Sequence, residues 1–425
     1  MKLLATGPLD KLSHETLEKV LSRGGHEEEI ARDVSAIQSD VRARGDAALR
    51  ELTEKFDGAK LASLEVPRAE CSAALARTPA DVRDALTAAH RNIESFHRAM
   101  MPDAREVEVV PGLRAGKRLV PFERIGAYVP GGRGAYPSTV LMTVTPARVA
   151  GVGEVIVVTP PGPDGKVPDI TLAACAVAGV DRVFSVGGAQ AIFALAFGTE
   201  SVPRVDKIVG PGNAWVTAAK ASVAARVAID APAGPSEVLV VADETADAEL
   251  VAREMLAQAE HDPRAASVAI VTEARLADAI VKLLEAEPAT PVVAASLARA
   301  GAVLVAPHAD ALRFVDRYAP EHLVLLTRAP RKDLDALRNY GSAFLGPWSS
   351  VALGDYCSGP NHVLPTAGLA RSYSGLGVDD FLRRPTHQEA SPEALRALAP
   401  IAERLATLEG LTNHAAALKA RRERL

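Results

Sequence analysis

The stretch RIGAYVPGGRGAYPSTVLMTVTPARVAGVGEVIVVTPP, residues 124–161, alternates between two kinds of local pattern. It opens and closes with short runs rich in β-branched residues, RIGAYVP and EVIVVTPP, which are typical of buried strands. Between them, STVLMTVTPARVAGV has the length of a helix. Two apolar strands joined by a helix predict a βαβ unit, in which both strands run parallel in one sheet.

The same alternation of apolar strand and helix continues to about residue 345, with segments such as DKIVGPGNAWVTAAK and SEVLVVAD. There are too many such units for one small sheet. The sequence therefore predicts an α/β fold with two parallel-sheet domains and helical segments at both ends. The predicted parts are a helical arm over 1–24, one domain formed by 25–127 together with 236–375, a second domain over 128–235, and a helical tail over 376–425.

Two regions outside the alternating pattern are predicted to be helical. EEEIARDVSAIQSDVRARGDAALRELTEKF, residues 27–56, is expected to form one long amphipathic helix. Residues 391–425 are expected to form two helices separated at Gly410. Ser391 is the expected N-cap of the first of these helices, with Pro392 at its first helical position.

The composition is that of an ordinary globular protein, with 48% hydrophobic and 24% charged residues in a chain of 425. The net charge of -5 and the lack of a basic stripe argue against a nucleic-acid partner. No apolar run approaches the ~20 residues of a membrane span, and the first residues do not resemble a signal peptide. The three cysteines are far apart and form no C-x-x-C pair, which argues against disulfides and a cysteine-based zinc site. We expect a cytoplasmic protein that binds neither nucleic acid nor membrane.

Three glycine clusters, VPGGRGAYP, SVGGAQA and VGPGNAW, each follow a predicted strand and precede a predicted helix. Phosphates and other anions bind at this kind of position, because helix N-termini and the carboxyl edge of a parallel sheet meet there. Each cluster alone is also explained by a tight turn. Three clusters at successive strands of one sheet indicate a ligand site, although no G-x-G-x-x-G motif is present.

In YAPEHLVLL, residues 318–326, Glu321 and His322 immediately precede an apolar strand. An unpartnered charge is costly at the edge of a core, so the pair is either solvated or needed for chemistry. In a strand the two side chains would point to opposite faces, whereas in a loop they can converge. A converging carboxylate and imidazole are plausible general bases.

Two further segments pair candidate ligands. In LAQAEHDP, Gln258 and His261 lie three residues apart at a helix end and so share one face. They form either half of a metal site or a helix terminus whose histidine interacts with the dipole. In LGDYCSGPNHVLPT, Asp355 and His362 are either a ligand and a substrate contact, or the segment is an Asx-type turn around Asp355 and Asn361.

In LEGLTNHAAAL, Glu409 and His414 lie on either side of Gly410 and could project from one turn. The alternative is a helix start capped by Thr412 or Asn413. Taken together, the candidate ligands in these segments are glutamine, histidine and aspartate side chains, and none of them is a thiolate. This donor set suits Zn²⁺ or a similar divalent ion in a catalytic site.

Eight segments occur in a fixed order: GAYVPGGRGAYPSTVLM, VGGAQAIFALAFGTE, KIVGPGNAWVTAAK, AGPSEVLVVAD, AQAEHDP, APEHL, GDYCSGPNHVLPT and EGLTNH. With their spacing they resemble the histidinol dehydrogenase family, and the resemblance runs from about residue 25 to 420. The departures are small. Ser350 and Val351 stand where the family usually has a Pro-Glu pair, and Trp215 and Trp348 replace other aromatic residues.

This resemblance implies two Rossmann-like domains and the oxidation of L-histidinol to L-histidine through histidinal with two NAD⁺, the final step of histidine biosynthesis. It also implies one Zn²⁺ per site and a homodimer whose tail reaches into the partner's active site. Glu321 and His322 would be the acid–base pair. The zinc ligands would be Gln258, His261, Asp355 and His414; the substrate contacts would add Ser236, His362 and Glu409 to these six; and the NAD contacts would be Tyr128, Gln190 and Asn213.

Two other function classes are compatible with parts of the pattern. A zinc-dependent hydrolase on an α/β scaffold would use the same ligands and a carboxylate base, but it leaves the three glycine clusters unexplained. A binding protein without activity would not need Glu321 or His322. Formation of NADH from histidinol and NAD⁺ distinguishes the dehydrogenase from both.

Overall fold

The structure of the protein is a computed structural model. It describes residues 2–23, 30–131, 134–232, 234–288 and 290–425. The strands are β1 (Ala5–Pro8), β2 (Glu65–Val66), β3 (Arg105–Val110), β4 (Leu113–Lys117), β5 (Val120–Pro121), β6 (Arg124–Tyr128), β7 (Glu154–Thr159), β8 (Arg182–Ser185), β9 (Lys207–Val209), β10 (Ala228–Ile229), β11 (Glu237–Ala242), β12 (Ala266–Val271), β13 (Gly301–Val305), β14 (His322–Leu326), β15 (Ser342–Leu345), β16 (Leu382–Arg383) and β17 (Thr386–Ala390).

The helices connect and cover these strands. They are α1 (His14–Leu21), α2 (Ile30–Arg44), α3 (Asp46–Asp57), α4 (Arg68–Arg77), α5 (Ala80–Ala99), α6 (Pro137–Ala150), α7 (Asp169–Ala178), α8 (Gly188–Phe197), α9 (Ala214–Val223), α10 (Ala248–Ala259), α11 (Ala274–Ala286), α12 (Pro291–Ala300), α13 (His308–Tyr318), α14 (Pro330–Asp335), α15 (Val351–Tyr356), α16 (Pro392–Leu408) and α17 (Thr412–Arg422). Among the helices of the described ranges, none is both long and apolar enough to cross a lipid bilayer.

Two larger sheets organise the described part of the chain, and each has six strands. Sheet 1 has the strand order β1-β13-β12-β11-β14-β15, and its strands all run parallel. Sheet 2 has the order β10-β9-β6-β7-β8-β2, and only the short β2 runs antiparallel to its neighbour. Every residue of β11 and β12 is buried, because helices cover both faces of the sheet. The predicted α/β fold with parallel sheets is confirmed.

The N-terminal segment is not purely helical as predicted. Its first element, β1, pairs with β13 from Ala5 opposite Ala302 to Pro8 opposite Val305, and so forms one edge of sheet 1. Helix α1 then follows. The strand was missed because Ala-Thr-Gly-Pro has low strand propensity. Pro8 is tolerated there because it ends an edge strand.

The helices and strands between residues 30 and 127 lie mainly with sheet 2, not with 236–375 as predicted. Strand β6 is central in sheet 2, and β2 pairs with β8 at its edge. Helices α2 and α3 bury Val41 and Leu49 in one core with Phe193 of α8. Helices α4 and α5 pack against α7 and α6. Amphipathic helices show which face is apolar but not which sheet that face covers, so the sequence alone did not decide this assignment.

The predicted single helix over 27–56 is wrong, because the chain breaks at Gly45 into α2 and α3. Gly45 has φ +52°, and the Glu200 carboxylate fills the space that a side chain there would need. That carboxylate accepts a hydrogen bond from the backbone N–H of Asp46 at 2.8 Å. The break therefore depends on a residue from a different part of the chain. Residues 27–29 of the predicted helix lie outside the described ranges.

The C-terminal segment begins with strands, which the helical prediction missed. β16 pairs with β5, and β17 adds to an antiparallel sheet with β4 and β3. The two predicted helices follow as α16 and α17, with Gly410 at φ +73° between them. Ser391 Oγ accepts a hydrogen bond from the Ala394 N–H at 3.2 Å, and Pro392 is the first helical residue, so both predicted cap residues are confirmed.

Helix α16 leaves an apolar face uncovered. Ile401, Leu405 and Leu408 are 59%, 55% and 66% exposed. Their spacing places them on one face of the helix. Such a row of exposed large side chains is typical of a surface that packs against another chain.

We expect Gly210→Ala to destabilise the protein more than Gly179→Ala. Both glycines have positive φ, at +115° and +75°. A side chain in left-handed backbone costs about 1–2 kcal/mol. At Gly210 the new Cβ would also collide with the Tyr128 carbonyl oxygen, whereas at Gly179 no atom of the described chain lies within 4 Å.

Urea unfolding followed by circular dichroism measures both variants. Equal losses in the free energy of unfolding would show that the Gly210 loop relaxes away from β6 without cost.

Candidate active site

Glu321 and His322 are buried at the start of β14, and their side chains converge as one alternative from the sequence expected. Glu321 Oε2 lies 3.4 Å from His322 Nδ1. The neighbouring strand β11 begins at Glu237, and Val238 is in register with His322. Because the strands are parallel, these residues meet at the amino edge of sheet 1.

His322 is oriented by its neighbours on both sides of the ring. Its Nδ1–H donates to the carbonyl oxygen of Glu237 at 3.0 Å. Nε2 points towards Asp355, whose Oδ1 is 3.7 Å away. Burial by itself lowers the pKa of His322, but the carboxylates of Glu321 and Asp355 outweigh it and raise this pKa to about 9.

Asp355 and His362 are brought together with His322. Asp355 lies in α15, and its carbonyl oxygen accepts a hydrogen bond from His362 Nδ1 at 2.8 Å. Burial lowers the pKa of His362, which favours the neutral ring. The Asx turn that was the alternative explanation also exists at Asn361, whose Oδ1 accepts from the Val363 N–H at 2.9 Å.

Residues of α10 and the residue after it interact with α15, the helix that carries Asp355. At one end, Glu254 Oε2 accepts from the Val351 N–H at 3.3 Å. At the other end, burial together with the charges of Asp355 and Glu260 raises the pKa of Tyr356. Gln258, in the last turn of α10, lies between Glu254 and Glu260 in sequence, and His261 follows Glu260 directly.

Gln258 has the environment of an incomplete ligand site. Its side chain is 2% exposed, and neither amide atom finds a hydrogen-bond partner within the described part of the chain. Such an orphaned buried amide is costly unless a bound group satisfies it. His261, by contrast, is exposed. No three His, Cys, Asp or Glu side chains of the described residues cluster closely enough to hold a metal ion.

The remaining predicted residues are not gathered in the same way. Glu409 and His414 are exposed, at the C-terminal end of α16 and the start of α17. Ser236 is half-buried directly before Glu237, at the amino edge of sheet 1. Within one chain, the candidate site is therefore built from residues in or directly beside β11, β14, α10 and α15, and Ser236 is one of them.

The predicted NAD residues lie at the carboxyl edge of sheet 2. Tyr128 ends β6, and its hydroxyl accepts a hydrogen bond from the Gly188 N–H at 3.2 Å. Burial raises the pKa of Tyr128 to about 12. Gln190 is buried in the first turn of α8. Asn213 is the N-cap of α9 and accepts from the Val216 N–H at 3.1 Å. Of the first glycine cluster, residues 132–133 lie outside the described ranges.

One contact joins the two edges. The Oγ1 of Thr139, in the first turn of α6 beside the carboxyl edge of sheet 2, lies 3.4 Å from His362 Nε2. The amino edge of sheet 1 therefore adjoins the carboxyl edge of sheet 2. A substrate at His322 would lie next to the glycine-rich loops of the other sheet.

Of the sequence departures noted above, the one at Ser350 and Val351 has a local explanation. Ser350 is the N-cap of α15 and its Oγ accepts from the Ala352 N–H at 3.3 Å. The N–H of Val351, the first residue of the helix, donates to the Glu254 carboxylate of α10. The helix that carries Asp355 is thus capped without the Pro-Glu pair.

A model of the family described as histidinol dehydrogenase matches residues 22–422 of this chain. The chain belongs to the histidinol dehydrogenase family. The histidinol dehydrogenase of Methanosarcina barkeri (strain Fusaro / DSM 804) is 47% identical over 426 residues, which cover 99% of this chain and 98% of the relative. That of Methanosarcina mazei is 49% identical, with 97% and 96% covered.

The crystal structure of histidinol dehydrogenase from Elizabethkingia anophelis superposes with a TM-score of 0.93 at 34% identity, covering 99% of this chain and 98% of that one. The family predicted from the ordered motifs is confirmed, and this chain is an NAD-dependent oxidoreductase of the histidinol dehydrogenase family.

Two acidic residues of this site were not among those predicted from the sequence. Glu237 opens the buried strand β11 as Glu321 precedes β14, so a carboxylate directly before an apolar run was the available signal. Glu254 gave no signal, since it lies one turn before Gln258 in an ordinary amphipathic helix. Burial raises its pKa, and it lies within the electrostatic range of His322.

In the EDTA-treated protein, we expect Glu321→Gln to lower the pKa of His322 from about 9. The reason is that a neutral amide no longer stabilises the imidazolium. Because the folded pKa lies above the unfolded value of about 6.5, the charged ring stabilises the fold fully below pH 6.5. That contribution disappears as the pH rises through 9.

Histidine-selective NMR titration measures the pKa, and urea unfolding at pH 6.5 and 9 measures the stability. The wild type should lose more stability over this interval than Glu321→Gln. An unchanged His322 titration in the variant would contradict the role of the Glu321 charge.

Proposed function

We propose that the chain oxidises L-histidinol to L-histidine through histidinal, reducing two NAD⁺ and consuming one water, as the final step of histidine biosynthesis. One observation carries this proposal: a buried Glu321–His322 pair faces Asp355 where the amino edge of sheet 1 adjoins the glycine-rich edge of sheet 2. Two successive oxidations of one carbon need two bases, and they need those bases next to the place where the nucleotide binds. As a biosynthetic enzyme it would act in the cytoplasm.

The residues present fit a Zn²⁺ ion, one per active site. The orphaned amide of Gln258, the exposed His261 and the carboxylate of Asp355 would hold it together with His414. These are nitrogen and oxygen donors of the kind found in catalytic zinc sites. When bound, zinc supplies a Lewis acid that orients the amino alcohol and polarises its oxygen. Asp355 contributes to the raised pKa of His322. A bound cation that neutralises the Asp355 carboxylate would therefore bring this pKa nearer the range of a general base.

The first oxidation uses His322 as the base. Its Nδ1–H is bound to the Glu237 carbonyl, so Nε2 is the nitrogen that takes the hydroxyl proton of histidinol. As that proton leaves, hydride passes from the carbon that bears the hydroxyl group to NAD⁺, which yields histidinal, NADH and protonated His322. Tyr128, Gln190 and Asn213 would contact the nucleotide at the carboxyl edge of sheet 2.

The second oxidation uses both bases. Glu321 takes a proton from water as the water oxygen adds to the aldehyde carbon, and protonated His322 returns its proton to the carbonyl oxygen. The product is the hydrate. His322 then takes a hydroxyl proton from the hydrate as the second hydride passes to NAD⁺, which yields the carboxyl group of histidine. Ser236, His362 and Glu409 would hold the substrate alongside the metal ligands.

We further propose a homodimer in which each site uses Glu409 and His414 of the partner chain. Both residues are exposed, and they follow the uncovered apolar face of α16. A two-fold dimer that buries this face would deliver the same pair of residues to both sites.

We expect Glu321→Gln to impair one half-reaction selectively. Oxidation of histidinal by NAD⁺ needs activated water and should fall by about 10²–10⁴-fold, which is typical of a general base. Reduction of histidinal by NADH, the reverse of the first step, should fall far less. His322→Asn should impair both.

Absorbance at 340 nm follows both directions from the same substrate. Equal losses in both directions for Glu321→Gln would contradict the role assigned to Glu321. If wild-type protein with added zinc formed no NADH from histidinol, the proposed function itself would be wrong.

Mixing two inactive variants tests the shared site. His261→Asn and His414→Asn should each be inactive alone. In a mixed dimer, one site carries both changes and the other carries neither. Random reassociation makes half the dimers mixed, so activity should recover to about a quarter of wild type by this symmetry.

Native mass spectrometry verifies that mixed dimers have formed. If they form and no activity returns, every site is built within one chain and the shared site is ruled out.

A further inference from the structure

Glu237 contacts both catalytic residues, yet no step of the reaction uses it. Its side chain is 1% exposed. Its Oε1 accepts a hydrogen bond from the Glu321 N–H at 3.2 Å. Its own N–H donates to Glu321 Oε2 at 2.7 Å, and its carbonyl oxygen accepts from His322 Nδ1 at 3.0 Å. One residue thus binds the backbone and carboxylate of Glu321 and the ring of His322.

Arg23 balances the charge of Glu237. The guanidinium binds the carboxylate through two hydrogen bonds, from Nε to Oε2 at 2.7 Å and from Nη2 to Oε1 at 2.9 Å. Two parallel charge-assisted bonds of this kind combine strength with a fixed geometry. Burial raises the pKa of Glu237, and the neighbouring Arg23 opposes that change.

Arg23 is itself held in an unusual conformation. It follows α1 with φ +53°, which is uncommon for a residue other than glycine. Its guanidinium lies 3.7 Å from the centre of the Tyr318 ring and donates to the Tyr318 carbonyl oxygen at 2.7 Å. Strain of this kind persists where the surroundings determine the conformation, and it is concentrated at functional sites.

The backbone that leads to Glu321 also needs support. Ala319 has φ +52°, again in the left-handed region. The Gly341 N–H donates to the Pro320 carbonyl oxygen at 2.8 Å on the side of β15. On the side of β11, the Glu237 carboxylate binds the Glu321 N–H. The turn is therefore anchored from both neighbouring strands.

We propose that Glu237, held by Arg23, is a positioning residue that fixes Glu321 for the activation of water. The proposal rests on the proposed function, because it assumes the role of Glu321 in histidinal oxidation. It also gives the N-terminal arm a function. The strand β1 and helix α1 dock on sheet 1 and deliver Arg23 to the amino edge, 214 residues away in sequence from Glu237.

The arrangement predicts which half-reaction depends on the Glu237 side chain. His322 is bound by the backbone carbonyl of Glu237, which any substitution keeps. Glu321 is bound in part by the side-chain carboxylate. Changes to that carboxylate should therefore disturb water addition, which needs Glu321, more than hydride transfer, which needs His322.

Glutamine cannot replace the carboxylate here. Oε1 accepts from Arg23 and from the Glu321 N–H, while Oε2 accepts from Arg23 and from the Ala367 N–H at 3.3 Å. Each oxygen thus faces two donors. In Glu237→Gln, one oxygen becomes an NH₂ group that faces two donors, so the site loses the bonds on one side while keeping its volume.

The test compares the two reactions of histidinal in the zinc-loaded protein. For Glu237→Gln, we expect kcat for oxidation by NAD⁺ to fall by about 10–100-fold, the usual effect of removing a residue that orients a functional group. Reduction of histidinal by NADH should fall by less than about threefold, with little change in KM for histidinal. Arg23→Lys keeps the charge and should retain more histidinal oxidation than Arg23→Gln.

Asp333→Asn is the matched control. Asp333 is also a buried carboxylate, 6% exposed, and it lies beyond the opposite end of β14, where it accepts from Thr327 Oγ1 at 2.5 Å. Its loss should lower stability and leave the ratio of the two reactions unchanged. A changed ratio in this control would show that the ratio reports on stability alone, which would overturn the proposal.

Removing one partner of a buried ion pair can prevent folding. If Glu237→Gln does not fold, the double variant Arg23→Gln/Glu237→Gln removes both charges together and gives the same comparison. A folded variant that loses both reactions equally, or loses neither, overturns the positioning role.

If Glu321→Gln is selective and Glu237→Gln is not, only this proposal fails. If Glu321→Gln is itself not selective, the fault lies in the function assigned to Glu321.

Discussion

Two parallel sheets that are buried on both faces leave only the strand ends for polar chemistry. In β11 and β12 every residue is buried, and the backbone groups are paired along the strands. Polar side chains therefore collect where strands begin or end. Glu237, Glu321 and His322 lie at strand starts in sheet 1, while Tyr128 lies at a strand end in sheet 2. The candidate active site exists because these two edges adjoin, as the contact between Thr139 and His362 records.

This placement departs from the usual rule for open α/β sheets. Ligands normally bind outside the carboxyl ends of the strands, and the glycine clusters of sheet 2 follow that rule. The Glu321–His322 pair, the proposed acid–base residues, is at the amino edge of sheet 1 instead. Carboxylates buried at this edge need partners that offset their loss of solvation. Arg23 supplies one for Glu237, and His322 supplies one for Glu321.

The N-terminal and C-terminal segments of the chain contribute to the site in different ways. The N-terminal arm adds an edge strand to sheet 1 and brings Arg23 beneath the site. The C-terminal helices instead carry exposed apolar side chains on α16, and Glu409 and His414 are also exposed. One end completes the support of the bases within its own chain. The other carries residues of the proposed site on a surface suited to a second copy.

The alternation of strands and helices from about residue 124 to 345, the caps at Ser391 and Pro392, and the family could all be predicted from the sequence, because local periodicity and ordered motifs depend on neighbouring residues. The sequence also singled out Glu321 and His322, whose charges stand out before an apolar run. The folded chain was needed to show that α2 to α5 cover sheet 2, that the chain breaks at Gly45, and that Arg23 reaches Glu237. Each depends on partners far apart in sequence. A periodic pattern shows which face of an element is apolar, but not what will cover it.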